Sequence, residues 1–345
     1  MEKFFEKMPK VKIANKFDPI TPIIQGGMAI KVSTAKLAAE IANCGGLGLI
    51  AATGMTSEEL KDQIQEARET QTNTQGLIGI NVMFAASNFN EMVQTAIENG
   101  IDVIVFGAGF SRDIFIMGKE GNTPILPIVS SSKLAVISKK LGASSIILES
   151  GDAGGHLGTD KSTVSLIHEV REALDNTPDL EGIGHVPLIA AGGATTGFDV
   201  AKFFSLGAEG VQMGTRFVLS KECEVAETFK QLYLNIKESE VVKILSPVGL
   251  QARAIMNDFC KRILAGNPER PKTCNSCLKH CSRAFCIRRA LNLAEAGDIT
   301  NGLVFVGKNV CNIKEILPVK EIFANIEKEF TNFFAQQKGL IDTGK

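Results

Sequence analysis

The chain has 345 residues, of which 44% are hydrophobic and 22% are charged, and this composition can fill a large single core. Its 37 basic and 38 acidic side chains nearly cancel, so no overall field draws it to nucleic acid or to an anionic membrane surface. We therefore expect a small-molecule substrate, with no nucleic acid and no membrane among the partners. A homodimer is an open alternative to a monomer.

Residues 1–17 do not resemble a signal peptide. They interleave Lys and Glu with Phe and lack the continuous apolar stretch of about 7 to 15 residues that such a peptide requires. No later run approaches the roughly 18 apolar residues of a membrane span. We expect a cytoplasmic protein, and its cysteines are then better interpreted as reduced thiols or metal ligands than as disulfides.

Short apolar runs alternate with helical stretches over residues 22–213. In chain order the runs are Pro22–Met28, Gly46–Ala52, Leu77–Met83, Val103–Ala108, Ile125–Val129, Ser145–Leu148, Val186–Ala191 and Gly210–Met213. Such near-continuous runs are typical of parallel strands that are covered on both faces. The alternation favours an α/β fold, a closed (β/α)8 (TIM) barrel, which needs about 250 residues. A doubly wound open sheet is the alternative, because a strand count does not show closure.

After the eighth run the alternation stops and the composition changes. A helix is predicted over Glu224–Ile236, a strand-like piece at Leu303–Val306, and a last amphipathic helix over Val319–Gln336. We predict three parts: a ligand-binding barrel of residues 1–235, a mostly helical cap of residues 236–300, and residues 301–345 packing back on the barrel.

Two glycine-containing loops follow the seventh and eighth runs. They read Ala191-Gly192-Gly193 and Gln212-Met213-Gly214-Thr215. In barrels of this kind a ligand phosphate binds after strands seven and eight, where glycines let the backbone approach an oxygen closely. A single glycine pair is more often only a tight turn. Because glycine loops stand at both expected strand ends, we predict one anion site built from the two.

Several separated motifs resemble the nitronate monooxygenase (2-nitropropane dioxygenase-like) family, which includes flavin-dependent enoyl-acyl-carrier-protein reductases. They are Pro22-Ile-Ile-Gln-Gly-Gly-Met28, Gly79-Ile-Asn81, Asp152-Ala-Gly-Gly-His156 and the two glycine loops. The resemblance covers most of residues 20–255 and implies a barrel that binds flavin mononucleotide (FMN). It also implies the cofactor contacts: Gly27 and Met28 against the isoalloxazine ring, Asn81 hydrogen-bonded to the flavin, Glu149 and Gly154 bordering it, and Gly192, Gly193, Gln212, Met213, Gly214 and Thr215 around its phosphate.

Two amide side chains suit the polar edge of a flavin independently of the resemblance. Neutral amides can tune the electron affinity of the ring without a permanent charge. Gln25 and Asn81 stand at the ends of inner strands and can take this role beside the ring.

His156 is the candidate catalytic acid or base. Imidazole titrates near neutrality, and this histidine follows a Gly-Gly pair at the carboxyl end of a strand, where barrel enzymes carry out their chemistry. By the resemblance it matches the catalytic histidine of the family. A histidine that is hydrogen-bonded only for structural reasons is the alternative.

Two features depart from the commonest family pattern or are ambiguous. Glu149 stands where many nitronate monooxygenases have Gln, and a carboxylate beside a reduced flavin is disfavoured unless it pairs or protonates. Glu at this position also resembles the enoyl reductase branch. The segment Ser246–Gly249, with Arg253, resembles one that borders the substrate pocket, but a turn followed by a solvated Arg is an equal alternative. We leave that segment outside the catalytic set.

Four cysteines form a motif that the commonest relatives lack. Cys274, Cys277, Cys281 and Cys286 are spaced C-x2-C-x3-C-x4-C, which suits a zinc ion or an iron-sulfur cluster. Reduced thiols are the alternative. No nicotinamide-binding motif follows the first strand, so NAD(P)H as reductant would reach the flavin without a dedicated fold.

We expect an FMN-dependent oxidoreductase that oxidises alkyl nitronates with dioxygen, with His156 as acid or base. The alternative is NAD(P)H-dependent reduction of an activated double bond, as in an enoyl thioester. A third interpretation is a non-flavin barrel of the inosine-monophosphate-dehydrogenase type. That type needs a cysteine after the sixth strand, and none lies between Leu148 and Pro187.

Overall fold

The computed structural model describes residues 5–342, with the side chains of Asp179 and of residues 339–342 left aside. Its strands are β1 (Ile23–Gln25), β2 (Leu47–Ala51), β3 (Leu77–Met83), β4 (Val103–Gly107), β5 (Ile125–Val129), β6 (Ile146–Glu149), β7 (Gly155–Leu157), β8 (Leu188–Ala191), β9 (Gly210–Met213), β10 (Val241–Leu245) and β11 (Gln251–Ile255). A closed parallel barrel has the order β1-β2-β3-β4-β5-β6-β8-β9. The predicted (β/α)8 barrel is confirmed, and the open sheet is excluded because β1 pairs with both β2 and β9.

Helices cover the outside of the barrel and build part of the cap. They are α1 (Ala35–Asn43), α2 (Ser57–Thr70), α3 (Phe89–Glu98), α4 (Asp113–Glu120), α5 (Ser132–Lys140), α6 (Thr163–Asn176), α7 (Gly197–Ser205), α8 (Thr215–Val218), α9 (Glu227–Asn235), α10 (Asp258–Leu264), α11 (Ile287–Glu295) and α12 (Val319–Asp342). The last helix, α12, packs against α7 and α1 of the barrel. Among the residues described, no helix has the length and apolarity of a membrane span.

The strands are buried on both faces, which explains their continuous apolar sequences. Along β4, Val103 and Val105 belong to the apolar cluster inside the barrel, whereas Ile104 and Phe106 belong to the cluster between strands and helices. Successive side chains of a strand point to opposite faces, so each strand needs apolar residues at every position.

The cap contains a β-hairpin as well as helices. Strands β10 and β11 pair antiparallel, and β11 pairs antiparallel with β7, which lies in the loop after β6. Helices α10 and α11 pack on this sheet through Phe259 and Ile287, and Phe285, just before α11, contacts Phe259. Leu303–Val306 forms no regular strand, but Phe305 makes a single bridge to Ala254. The division into three parts stays a prediction.

Gln25 supports the loop after β1 and does not face a ligand. Its Oε1 accepts from the Leu49 amide at 3.0 Å, and its Nε2 donates to Ser33 Oγ at 2.7 Å and to the Gly26 carbonyl. The Ser33 hydroxyl also accepts from the Met28 amide at 2.9 Å. The role of Gln25 beside a flavin ring is therefore wrong, because both ends of its fully buried amide are engaged by protein.

We expect Gln25→Leu to lower the free energy of unfolding by about 1–3 kcal/mol, because it leaves buried polar groups without partners. Urea denaturation of the apoprotein measures this loss. The matched control is Gln94→Leu, whose exposed side chain bonds only to Glu98 on the same helix. Equal unfolding midpoints for the two variants would contradict this account.

Candidate active site

A cavity of about 520 Å³ lies where the carboxyl ends of the barrel strands meet the cap, and we call it the chamber. Its lining residues come from the barrel loops and from the segments that follow the barrel, between Gly26 and Gly307, and their roles stay predictions. The predicted site residues that line it are Gly27, Met28, Asn81, Glu149, Gly154, His156, Gly192, Gly193, Gln212, Met213, Gly214 and Thr215.

Gly27 and Asn81 line the chamber and fit each other closely. A Cβ on Gly27 would lie 2.1 Å from Asn81 Cβ, so no larger residue fits at position 27 without a shift. Asn81 Nδ2 donates to the Gly27 carbonyl at 3.1 Å. In the described part of the chain no donor reaches Asn81 Oδ1, so this oxygen is available to a ligand.

The two glycine loops form a cleft in the wall of the chamber. Gly192 and Gly193 have φ values of +114° and +80°, a region that side-chain-bearing residues rarely adopt. A Cβ on Gly192 would also lie 2.4 Å from Ser150 Oγ. Gly192 is thus restricted to glycine by conformation and by space, and Gly193 by conformation, which lets this loop approach a ligand closely.

Residues beyond the cap hold these loops in place. Asn309 Nδ2 donates to the Gly193 carbonyl at 2.7 Å, and the Gly307 amide donates to Thr215 Oγ1 at 2.9 Å. Sequence reasoning missed Gly307 and Asn309. The one signal that could have found them is the Gly-Lys-Asn sequence that follows the apolar segment Leu303–Val306.

Gln212 carries an unpaired oxygen into this cleft. Its Oε1 is buried, and no described protein group donates to it. Buried polar atoms almost always have a partner, so this oxygen indicates a ligand that brings a hydrogen-bond donor. The glycine-walled cleft and the orphaned oxygen together fit a bound nucleotide.

His156 lies on β7 and is fixed by the cap. Its Nε2 is 2.8 Å from Ser246 Oγ, and its ring contacts Phe305 at 5.3 Å between centroids in a near-perpendicular arrangement. Burial lowers the pKa of His156 to about 4. The imidazole is therefore neutral at physiological pH.

Ser246 begins the turn between β10 and β11. The turn is closed by bonds from the Ser246 amide to the Leu250 carbonyl and from the Gly249 amide to the Ser246 carbonyl, each 2.9 Å long. Arg253, on β11, is 6% exposed and donates to the Ala153 carbonyl at 2.5 Å. The alternative of a solvated Arg is thus wrong, and Ser246, which the sequence analysis left outside the catalytic set, is the hydrogen-bond partner of His156.

Glu149 ends β6 and lines the chamber. Its burial raises the pKa of its carboxyl to about 8. The group therefore keeps its proton at neutral pH. This removes the conflict that a carboxylate beside an electron-rich ring would create.

Three of the four cysteines line cavities, and Cys286 lines neither of the two. Cys274, Cys277 and Cys281 line a second pocket beside the β10–β11 turn, and Cys277 lines the chamber as well. Within residues 5–342, no group of three or more His, Cys, Asp or Glu side chains is arranged to hold a metal ion. The structure gives no support for a zinc ion or a cluster, and the metal site stays a prediction.

Comparisons with known proteins agree with this geometry. A family model described as nitronate monooxygenase matches residues 12–329. A probable nitronate monooxygenase of Staphylococcus aureus is 29% identical over 70% of this chain and 77% of its own. A (3aS,4S,5R,7aS)-5-hydroxy-7a-methyl-1-oxo-octahydro-1H-indene-4-carboxyl-CoA dehydrogenase of Mycobacterium tuberculosis is 29% identical over 72% of this chain and 67% of its own.

Solved structures extend the comparison to nearly the whole chain. FabK from Thermotoga maritima superposes with a TM-score of 0.81 at 32% identity, covering 92% of this chain and 95% of that one. A nitroalkane oxidase from Streptomyces ansochromogenes shares the fold, with a TM-score of 0.74 at 21% identity over 92% of this chain and 97% of that one. The match to the family model spans most of the chain, and the protein is therefore an oxidoreductase that belongs to the nitronate monooxygenase family.

Proposed function

We propose that the protein is an FMN-dependent oxidoreductase that reduces an activated double bond, such as that of an enoyl thioester, with NAD(P)H as electron source. When bound, FMN would supply hydride transfer to the substrate. The orphaned Gln212 oxygen and the glycine-walled cleft support this cofactor. Gly27, Met28 and Asn81 would lie against its ring.

The protonation states of Glu149 and His156 are consistent with reduction of a double bond. Burial raises the pKa of Glu149 to about 8 and lowers that of His156 to about 4. The site thus holds a proton donor matched to neutral pH and no strong base. Reduction of a carbon–carbon double bond consumes a proton at one carbon. A protonated Glu149 beside a neutral His156 can supply that proton.

His156 and Glu149 would share the proton chemistry in this reaction. If the Ser246 hydroxyl donates to His156 Nε2, the proton of the imidazole resides on Nδ1, which can then donate to a substrate carbonyl. Glu149 would deliver the proton that the substrate carbon takes up.

The wall of the chamber supports an acyl substrate. Its cap side presents Leu250, Leu278, Leu291 and Phe305. These apolar surfaces suit a hydrocarbon chain, and transfer of such a chain from water is favourable. One relative is named as a dehydrogenase of a carboxyl-CoA thioester, which is a substrate of the same chemical class.

Oxidation of alkyl nitronates with dioxygen is the second candidate. It is favoured by the description of the family model and by the relative from Staphylococcus aureus. His156 would act as the acid or base in that reaction too.

The cytoplasmic location, a homodimer and a metal at the cysteines stay predictions.

Anaerobic mixing of the yellow holoenzyme with each electron donor separates the two candidates. Rapid loss of flavin absorbance with NADPH, and none with an alkyl nitronate, is the result expected of a reductase. Bleaching by the nitronate alone would establish the second candidate instead. Protein that is colourless and gains no flavin absorbance on addition of FMN would contradict both.

The cofactor assignment predicts a specific effect of Gln212→Leu. Loss of one hydrogen bond to a ligand should raise the dissociation constant for FMN about 5- to 15-fold. The stability of the apoprotein should not fall, because the variant removes an unpaired buried oxygen. Flavin fluorescence quenching measures the affinity, and Gln231→Leu on an exposed helix face is the control. Unchanged FMN affinity in Gln212→Leu would contradict the assignment.

The catalytic role of His156 predicts a large loss of turnover. We expect His156→Gln to lower kcat about 100-fold or more while the flavin spectrum is kept. Ser246→Ala should lower kcat about 5-fold, the value of one hydrogen bond. Because Ser246 acts through His156, the double variant should be no slower than His156→Gln. His185→Gln at the exposed pair with Glu209 is the control. Additive losses in the double variant would show that Ser246 has an independent role.

The proton held by Glu149 predicts the pH dependence of the reaction. A raised pKa means that the carboxyl loses its proton only as the pH passes about 8. We therefore expect kcat/KM to be level near neutrality and to fall above that pH. Glu149→Gln should be slower and should lack this alkaline decline. An unchanged decline in the variant would assign it to another group.

A further inference from the structure

Arg288 is the basic side chain of the chamber. Among the described residues that line this cavity, it is the only Lys or Arg. The other ionisable groups that the chemistry uses are neutral at physiological pH, because Glu149 keeps its proton and His156 does not take one up. An otherwise uncharged wall therefore carries one fixed positive charge.

The position of Arg288 is set by the cap and by the barrel together. It is the second residue of α11, and its Nη2 donates to the Gly54 carbonyl at 2.9 Å. Gly54 follows β2, whereas His156 follows β6. In the closed order β1-β2-β3-β4-β5-β6-β8-β9 these two strands stand opposite each other. Arg288 and His156 thus lie on opposite sides of the barrel mouth.

The guanidinium of Arg288 keeps donors for a ligand. It carries five N–H groups, and one bond of its side chain to protein is seen, that to Gly54. In residues 5–342 no carboxylate lies within ion-pair distance of it. Glu59 is near enough to feel its charge, but the Glu59 carboxylate accepts from the Thr56 amide at 2.7 Å and caps α2.

We propose that Arg288 binds a phosphate group of an extended substrate whose reacting end lies at His156. A partly buried guanidinium without a counter-ion is unfavourable, and phosphate is the anion that its planar fork binds with two parallel bonds. A small alkyl nitronate could not reach both groups, whereas a long phosphate-bearing molecule could. This inference rests on the proposed function, in which both substrates carry phosphate: a coenzyme A or carrier-protein thioester, and NAD(P)H.

The test compares Arg288→Gln with Arg289→Gln in the FMN-loaded enzyme. Arg289 is the next residue of the same helix and is exposed, and its one ion pair with the described residues is a long 3.8 Å contact with Glu269. Calorimetric titration with coenzyme A and, separately, with NADP⁺ measures binding without turnover. We expect Arg288→Gln to weaken binding of one of these about 10-fold or more, since a charge-assisted bond is lost. Arg289→Gln should stay within about twofold of the wild type.

The ligand that loses affinity identifies the source of the phosphate. Arg288→Lys keeps the charge and should restore part of the binding, which separates phosphate recognition from the structural bond to Gly54. Wild-type affinity of Arg288→Gln for both ligands would overturn the proposal, and so would the absence of binding of either ligand to the wild type.

Kinetics give a second readout. If the thioester is the source, the wild type should prefer crotonyl-CoA to the crotonyl thioester of N-acetylcysteamine, which lacks phosphate. Arg288→Gln should lose that preference through KM, with kcat changed less than about twofold. If NAD(P)H is the source, KM for NADPH should rise instead. Failure of the wild type to reduce any enoyl thioester would contradict the proposed function, and the titrations would still decide the role of Arg288.

Discussion

The pairing of the first barrel strand with the last is the constraint on which the site depends. Ile23, Ile24 and Gln25 of β1 align with Val211, Gln212 and Met213 of β9. The Gly26 amide extends this ladder by donating to the Met213 carbonyl at 3.0 Å. As a result the loop after β1 stands beside the loop after β9, and Met28 lies against Gly214. Residues almost two hundred positions apart thereby form one cleft.

A second pairing, that of β11 with β7, connects the cap to the strand that carries His156. It aligns Ala252 with His156 and so brings the turn that begins at Ser246 over the imidazole. Phe305 and Val306 close the same side of the chamber. The cap therefore helps to enclose the chamber, because it supplies the hydrogen-bond partner of His156 and part of the apolar wall. A barrel without it would leave His156 open to water.

Burial then sets the charges of the chamber. Desolvation disfavours a charged group in an apolar enclosure, so Glu149 retains its proton and His156 stays neutral. Against this neutral background, the single charge of Arg288 acts over a longer distance than it would in water, because the surroundings screen it less. The chamber thus combines a protonated carboxyl, a fixed imidazole and one guanidinium within a largely apolar wall.

The local pattern of the chain was sufficient for the barrel and for the residues at its strand ends. Apolar runs mark strands because both faces of each strand are covered, and glycines mark loops where a side chain would collide with a neighbour, as at Gly27 and Gly192. The pairing of His156 with Ser246, 90 positions away, was not predictable, nor was the engagement of Gln25 with Leu49. These contacts depend on which strands become neighbours when the barrel closes and the cap hairpin adds to β7. Local periodicity carries no information on such long-range pairing, and so only the tertiary structure revealed the partner of the histidine and the position of Arg288.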